Sequence, residues 1–352
     1  MYYSKIGIAG AGLSNQIFSL ITSIIIAYRN NEKVVIIDNF LNDFSKKNYT
    51  PISQIININE INIFLKKYYD IIIVDKYNTK LVINSIKYGT KDNNIDLTEH
   101  YMHSFKNSIL RINKDTNFNN IKGDPCFGIV KNIYLNYTIN DYEIEEIYNE
   151  YLKNDISIDI LNSEYLHTLN WVNPLYRNMF ENILPIIQYN NDFIDKSCHI
   201  LKEIDMNNKI NIIHLRLEND GIQHWSGMNG MSEIDFKNYI DNKYIKLIEK
   251  YISKTDQNII VSQSLDNTVI NYLIQNNYNF KFNNKYFEDR EKNAIVDLLT
   301  ARHCNNVYIG NFNIEQLNGS TFSYYIGKIV NKDVKKIYID LDRIHNNEQI
   351  YV

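Results

Sequence analysis

The chain has 352 residues, of which 44% are hydrophobic and 22% charged, and its formal net charge is -4 at pH 7. This length suits two domains better than one, and the lack of a basic run in the sequence argues against nucleic-acid binding. The three cysteines, Cys126, Cys198 and Cys304, are far apart and form no CxxC pair, which argues against a disulfide framework or a zinc site.

The start of the chain carries no recognisable signal peptide. The longest early apolar stretch, Ile17–Tyr28, is too short to cross a bilayer, so we interpret it as a buried helix. We therefore expect a cytoplasmic protein without a membrane span. The frequent Asn, Ile, Lys and Tyr residues have AT-rich codons, which suggests a viral or AT-rich microbial source.

The first part of the chain follows a strand, glycine turn, helix, strand pattern. This βαβ opening predicts parallel strands in a doubly wound sheet. Its elements are predicted at Ile6–Ala9 (strand), Gly10–Gly12 (turn), Ser14–Arg29 (helix) and Val34–Ile37 (strand). Further along, the patterns predict a strand at Ile71–Val74 and helices at Tyr142–Leu152 and Asn178–Ile187.

A second βαβ series begins near Lys209. Strands are predicted at Ile210–Leu217, Asn258–Val261, Asn306–Ile309 and Lys336–Ile339, and helices at Glu233–Ile252, Asn267–Gln275, Asn293–Cys304 and Thr321–Val330. The two series predict an α/β protein with two Rossmann-like domains that face each other across a cleft, residues 1–200 and 201–352. Ligands of such folds bind at the carboxyl ends of the strands.

The first motif is the glycine-rich turn that enters the first helix, Gly10-Ala11-Gly12-Leu13-Ser14-Asn15-Gln16. Glycines there let backbone N–H groups approach a phosphate. A dinucleotide fingerprint would have a third glycine where Asn15 stands, although Asp38 supplies its acid. A phosphate site, with Asn15 and Gln16 facing the cleft, and a plain capped turn are both open interpretations.

The second motif is the strand end that carries His214, Arg216 and Glu218. Alternation places His214 and Arg216 on one face of the strand, with Glu218 beyond them, and donor groups there are costly unless they meet an anion such as a diphosphate. The alternative is an ordinary ion pair of Arg216 with Glu218 or Asp220. For the following Trp225 we favour packing over stacking on a sugar.

The third motif is the hydroxyl-rich loop Asn318-Gly319-Ser320-Thr321-Phe322-Ser323, at a loop-to-helix junction. Hydroxyls and helix N-terminal amides form an anion site, but Ser320 or Thr321 could equally be an N-cap. Asp297 lies in the apolar helix that precedes this loop. It would accept a hydrogen bond from a guanine or ribose, or pair with Arg302.

Together the three motifs resemble the fucosyltransferases of the O-fucosyltransferase-like and α-1,2/α-1,6 groups. Gly12–Gln16 matches their GNQ segment, with Ser14 where the family usually has Gly. His214-Leu215-Arg216 matches their HxR, and Asp297 with Ser320–Ser323 matches the acid-bearing helix and the loop after it. Residues 40–205 match nothing. The resemblance implies a GT-B fold, GDP-fucose as donor substrate, inversion at the anomeric carbon, and no cofactor or essential metal.

The resemblance also implies roles for individual residues. Residues 1–200 would form the acceptor-side domain and residues 201–352 the nucleotide-sugar-binding domain, with a glycan or protein hydroxyl as acceptor. Arg216 would steady the departing diphosphate, and Asn15 would lie across the cleft near the sugar. The catalytic set is Arg216, Asp220 and Asn15; the substrate-binding set is Gly12, Gln16, His214, Glu218, Asp297, Ser320, Thr321, Phe322 and Ser323.

The chemistry of sugar transfer fits this layout, because charge develops on a leaving diphosphate that preorganised donors stabilise. The single DxD, Asp340-Leu341-Asp342, follows the last predicted strand and is interpreted as a turn. Glu218, Asp220 and His224 are candidates for a general base, with Asp220 first. Three alternatives stay open: an FAD- or NAD-dependent oxidoreductase, a transferase that uses another GDP-sugar, and a non-catalytic binding protein.

Overall fold

The computed structural model describes residues 2–5, 12–38, 40–41, 49–103, 105, 109–159, 174–344 and 349–351. The predicted strand Ile6–Ala9 and the turn residues Gly10 and Ala11 lie outside the described residues. The helices are α1 Leu13–Arg29, α2 Ile58–Tyr69, α3 Thr98–Met102, α4 Asn119–Lys122, α5 Pro174–Ile183, α6 Asn191–Leu201, α7 Asn219–Met228, α8 Glu233–Tyr251, α9 Thr268–Gln275, α10 Arg290–Ala301 and α11 Thr321–Ile329. None of these helices is long and apolar enough to cross a membrane.

The strands form three main sheets and two short pairs. Their bounds are β1 Tyr2–Lys5, β2 Val34–Asp38, β3 Ile72–Asp75, β4 Leu81–Gly89, β5 Asn94–Asp96, β6 Ile109–Ile112, β7 Asn132–Ile139, β8 Tyr142–Asn149, β9 Ile156–Asp159, β10 Ile210–His214, β11 Gln257–Val261, β12 Phe280–Lys281, β13 Val307–Gly310, β14 Phe312–Asn313, β15 Asn318–Gly319, β16 Lys335–Tyr338 and β17 Gln349–Tyr351. The elements predicted as α1, β2, β3, α8, β11 and β13 are confirmed to within two residues.

The first sheet, β1-β2-β3, is parallel, and the apolar residues of β2 and β3 are buried on both of its faces. Alternate residues of β2 enter different cores, because successive strand side chains point to opposite faces. Val35 and Ile37 pack with α1 in the main core, while Val34 and Ile36 pack against an antiparallel sheet. A layer of strands therefore covers the face on which a doubly wound fold usually carries helices.

The antiparallel sheet has the order β5-β4-β7-β8 and was not predicted. The helix predicted at Tyr142–Leu152 is wrong, since β8 occupies most of that range and pairs with β7 along its whole length. Asn140 adopts a left-handed φ of 54° at the hairpin between them, a conformation that Asn tolerates well in tight turns. Pairing across that hairpin overrides the helix-like spacing of the apolar residues.

The second large sheet has the order β12-β11-β10-β13-β16-β17, parallel except for its last strand. The chain runs outward from β10 to β11 and β12, then returns to β13 on the other side of β10. Such a reversal opens a crevice at the carboxyl ends of β10 and β13, where ligands of open α/β sheets bind. β10 ends at His214, so the predicted strand Ile210–Leu217 is too long, and α7 follows it.

The two halves of the chain share one hydrophobic core. The ring of Phe18 on α1 lies 5.0 Å from Phe180 on α5, 6.0 Å from Tyr324 and 5.9 Å from Tyr325, both on α11. Phe18 is the sixth residue of α1, and Tyr324 is the fourth residue of α11. Each helix therefore begins within roughly 9 Å of this contact, measured along its own axis. The division of the chain at residue 200 stays a prediction.

Candidate active site

His214 ends β10 at the crevice and is 4% exposed. Its Nδ1 lies 2.6 Å from the hydroxyl oxygen of Ser323, and the backbone N–H of Asn311 donates to the same oxygen at 2.8 Å. Ser323 is fully buried. The carboxyl ends of β10 and β13 and the first turn of α11 are thus joined through one hydroxyl.

This arrangement favours one tautomer of the His214 ring, the one in which the hydroxyl proton of Ser323 has an acceptor. Ser323 Oγ already accepts from Asn311, and within the described residues the nearby acceptor for its own proton is His214 Nδ1. The ring proton then lies on Nε2 and is available as a donor. Burial, followed by the charge of Arg216, lowers the pKa of His214 to about 3, so the ring is neutral near pH 7.

Tyr244 on α8 braces the same strand end. Its hydroxyl lies 2.8 Å from the carbonyl oxygen of His214 and 2.6 Å from Oδ1 of Asn311, and it accepts from the backbone N–H of Arg216 at 3.3 Å. Both Tyr244 and Asn311 are fully buried. Neither was singled out from the sequence, although a polar residue directly after an apolar strand, as Asn311 is, was an available signal.

Arg216 forms the ion pairs that the sequence left as an alternative. Its Nη1 donates to Glu218 and to Asp220, and its Nη2 donates to Asp220 at 2.8 Å. Burial disfavours its charge, but these carboxylates outweigh burial and raise the pKa of Arg216. Within the described residues, Nε and one Nη2 hydrogen have no acceptor, which leaves two donors for an anion.

The same ion pair weakens Asp220 as a general base. The hydrogen bonds from Arg216 lower the pKa of Asp220, and the charge of Arg290 at the start of α10 adds to this effect. A carboxylate with a lowered pKa, with both oxygens bonded to a guanidinium, accepts a proton poorly. Asp220 is placed to position Arg216, and Arg290 is a nearby cation that sequence reasoning missed.

Trp225 packs beneath Arg216, as we favoured. It is 6% exposed, its Nε1 donates to Asp342 at 2.8 Å, and the guanidinium carbon of Arg216 lies 5.7 Å from its ring centroid. A Cβ on Gly221 would lie 2.8 Å from this ring, so glycine is required for the close approach. Asp340 accepts from two backbone N–H groups that follow it, which confirms the predicted turn at the DxD.

The hydroxyl-rich loop forms the start of α11. Ser320 is its N-cap and accepts from the backbone N–H of Ser323 at 3.4 Å, which confirms the capping interpretation. Thr321 and Phe322 keep partial exposure, and the Phe322 ring lies 5.2 Å from the His214 ring. The helix N-terminus therefore opens beside His214, but the Ser323 side chain is turned away into the interior.

Asp297 is held by an amide from outside its own helix. Its carboxylate accepts from Asn283 at 2.9 Å, and Arg302 donates to the carbonyl oxygen of Ile187 instead of pairing with it. Burial, opposed by the Asn283 hydrogen bond, raises the pKa of Asp297 to about 7. Within the described residues, Asp297 has no hydrogen bond to His214, Arg216 or α11.

The three N-terminal candidates lie at the start of α1. Gly12 is its N-cap, and a Cβ there would meet no described atom within 4 Å. Gln16 is fully buried, and Asn15 is half-buried with a shielded Oδ1 that has no donor among the described residues. The α1–α11 contact brings this helix start to the same region as the start of α11.

We expect Ser323→Ala to lower the free energy of unfolding by about 1–3 kcal/mol, because Asn311 N–H and His214 Nδ1 would lose a buried partner. Urea denaturation measures the change, and Ser264→Ala, at an exposed serine, is the matched control. If both variants were as stable as the wild type, the hydroxyl of Ser323 would contribute nothing measurable to this junction.

No protein-family model and no curated protein matches the chain. Among solved structures, the fucosyltransferase NodZ from Bradyrhizobium is similar with a TM-score of 0.50 and 11% identity, over 99% of this chain and 98% of that chain. POFUT1 gives a TM-score of 0.47 both as the apo form (10% identity, 93% and 94% coverage) and in complex with GDP-fucose (9%, 93% and 93%). The NodZ likeness confirms the predicted α/β fold of GT-B fucosyltransferases; at this identity it shows the fold alone.

Proposed function

We propose that the protein is a glycosyltransferase that moves fucose from GDP-fucose to a hydroxyl of a glycan or protein, with inversion and without a metal ion. The observation that carries the proposal is the convergence of three donor groups at the crevice between β10 and β13. These are the Nε2–H of neutral His214, the guanidinium of Arg216 and the N-terminus of α11. The fold likeness to NodZ supports the same assignment.

These groups suit a diphosphate. A helix N-terminus offers unpaired backbone N–H groups and the positive end of its dipole, and a guanidinium offers a planar fork of donors. In our proposal Arg216 and α11 stabilise the charge that develops on the departing GDP, and His214 donates from Nε2 to a phosphate or ribose oxygen. Thr321 and Phe322 border this position.

Arg216 must share its donors between the diphosphate and its carboxylate partners. The Asp220 side chain is 55% exposed and that of Glu218 13%, so Asp220 is the partner that a phosphate would displace. We propose that Glu218 keeps the guanidinium oriented throughout. Asp220 has a positioning role in this proposal, and the general base is not assigned to it.

The N-terminal side of the cleft supplies the remaining groups. We propose that Asn15 contacts the transferred sugar or the acceptor, and that Gly12 lets the chain approach them, because the space beside its Cα is open among the described residues. Gln16 and Ser320 are buried, as is Ser323. We therefore propose that these three shape the site from behind and do not touch the substrate through their side chains.

Thermal unfolding with single nucleotides tests the proposal. GDP and GDP-fucose are expected to stabilise the protein by about 2.7 kcal/mol at a hundred times their dissociation constants, with or without EDTA, whereas UDP, NAD and FAD are not. Stabilisation by NAD or FAD and none by GDP would replace the transferase with an oxidoreductase. A larger effect of GDP-mannose than of GDP-fucose would change the donor sugar.

The same experiment at several pH values tests the role of Asp297. A guanine edge donates to an ionised carboxylate, and the pKa of Asp297 is raised to about 7, so GDP affinity is expected to increase from pH 6 to pH 8. The Asp297→Asn variant reveals how much of the pH dependence comes from the phosphate of GDP itself. Identical pH profiles of the two proteins would show that the carboxylate only anchors Asn283.

A further inference from the structure

A second cavity, separate from the crevice, lies at the carboxyl end of β3. It has a volume of about 270 Å³, and five asparagines line it: Asn57, Asn59, Asn78, Asn140 and Asn190. We call it the amide cleft. The sheet order β1-β2-β3 places it two strands, about 10 Å, from β1, the strand that precedes α1 in the chain.

Four of these amides are held by one end only. Asn57 and Asn140 accept backbone N–H groups, from Glu60 and Lys80, through Oδ1. Asn190 and Asn78 donate through Nδ2, to the carbonyl and the hydroxyl oxygen of Ser53. Within the described residues, the opposite end of each amide has no hydrogen-bond partner. The cleft thus presents oriented donors and acceptors together.

The cleft has a single charged group among its described lining residues, a carboxylate that is already hydrogen-bonded. Its one acidic residue, Asp75, is 3% exposed, and its oxygens accept from the backbone of Ser53 and Tyr77 and from Asn78. The lining residues in the described part of the chain include no Lys or Arg. Such a surface suits a neutral ligand that has both donor and acceptor groups at close spacing, as sugar hydroxyls do.

We infer that the amide cleft binds a neutral saccharide, and that this saccharide is the acceptor of the proposed transfer; the second part of the inference rests on the proposed function. Anchored amides lose little freedom when they bind, which favours specific recognition by hydrogen bonds. The cleft is also connected to the nucleotide side. Asn190 follows Tyr189, whose hydroxyl lies 3.1 Å from that of Tyr325 on α11.

A glycan array probed with the labelled full-length protein tests the inference, with each neutral oligosaccharide printed beside its sialylated form. The wild type is expected to bind neutral members and not their sialylated forms. In Asn59→Ala/Asn78→Ala, binding is expected to fall roughly tenfold or more, because two amides are lost. The single variant Asn59→Ala is the second probe, since the exposed side chain of Asn59 makes no hydrogen bond among the described residues and its removal is expected to leave the fold intact.

The matched control is Asn242→Ala, at an exposed asparagine on α8 in the other half of the chain. Equal binding by the wild type and both cleft variants, or binding to acidic glycans alone, would overturn the inference. GDP stabilisation is measured on the same samples. If GDP stabilises the protein but no neutral glycan binds, the inference about the amide cleft is contradicted and the proposed function is not. If glycan binds but GDP does not stabilise the protein, the proposed donor is contradicted.

Discussion

Arg216→Ala is expected to lower the rate of fucosyl transfer roughly a hundredfold or more, the usual cost of removing a preorganised donor to developing negative charge. The guanidinium combines a fixed charge with two donors that have no acceptor among the described residues. Transfer from GDP-fucose at saturating donor measures the chemical step, and the GDP dissociation constant measures the contribution of Arg216 to binding.

Two further variants distinguish a loss of transfer from a loss of folding. Removing Arg216 alone leaves the poorly exposed Glu218 without its partner, which is costly. The pair Arg216→Met with Glu218→Gln removes both charges together and is expected to keep the stability of the wild type. Arg29→Ala, at the exposed far end of α1, is the arginine control and is expected to transfer normally. Normal transfer by the Arg216 variants would refute its role.

Phe18→Ala is expected to lower the free energy of unfolding by about 3–5 kcal/mol, the range for large aromatic residues removed from a core. Phe18 is fully buried and contacts rings from both halves of the chain. Its loss would also loosen α1 against α11, so transfer is expected to fall even where the variant stays folded. Chemical denaturation and the transfer rate are measured together.

Phe127 is the matched control, because the same substitution there removes a phenylalanine that is 94% exposed. Phe127→Ala is expected to change stability by less than about 0.5 kcal/mol. If Phe18→Ala cost no more than Phe127→Ala, the aromatic contact between α1, α5 and α11 would not be what joins the halves. The comparison separates the effect of losing any phenylalanine ring from the effect of losing the buried ring of Phe18.

Apolar patterns predicted the parallel strands and the helices that cross between them. Val34–Ile37 is a continuous apolar run because both faces of β2 are covered. The antiparallel layer was missed because one face of it is exposed and rich in polar residues. In Tyr142–Asn149 only Ile144 is fully buried, so the strand alternation is weak and the spacing of its isoleucines mimics a helix.

The sequence predicted which residues form the candidate site, but it did not predict the contacts between them. His214, Arg216 and the start of α11 were identified from their positions beside predicted strands and helices. The contact between His214 and Ser323 joins residues 109 apart and depends on how α11 lies over β10. The ion-pair interpretation of Arg216 is confirmed, and the anion interpretation stays a prediction, because its carboxylate partners leave donors unused. No local pattern distinguishes such a shared guanidinium from an ordinary ion pair.

We expect the aromatic contact around Phe18 to limit how far the two halves can move apart. Two-domain enzymes commonly open and close about a hinge, unless a large apolar interface holds the domains together. Here Phe18, Tyr324 and Tyr325 would enter water if the halves separated at α1 and α11. We expect the nucleotide to enter a cleft of nearly constant width, with loops in place of whole domains controlling its release.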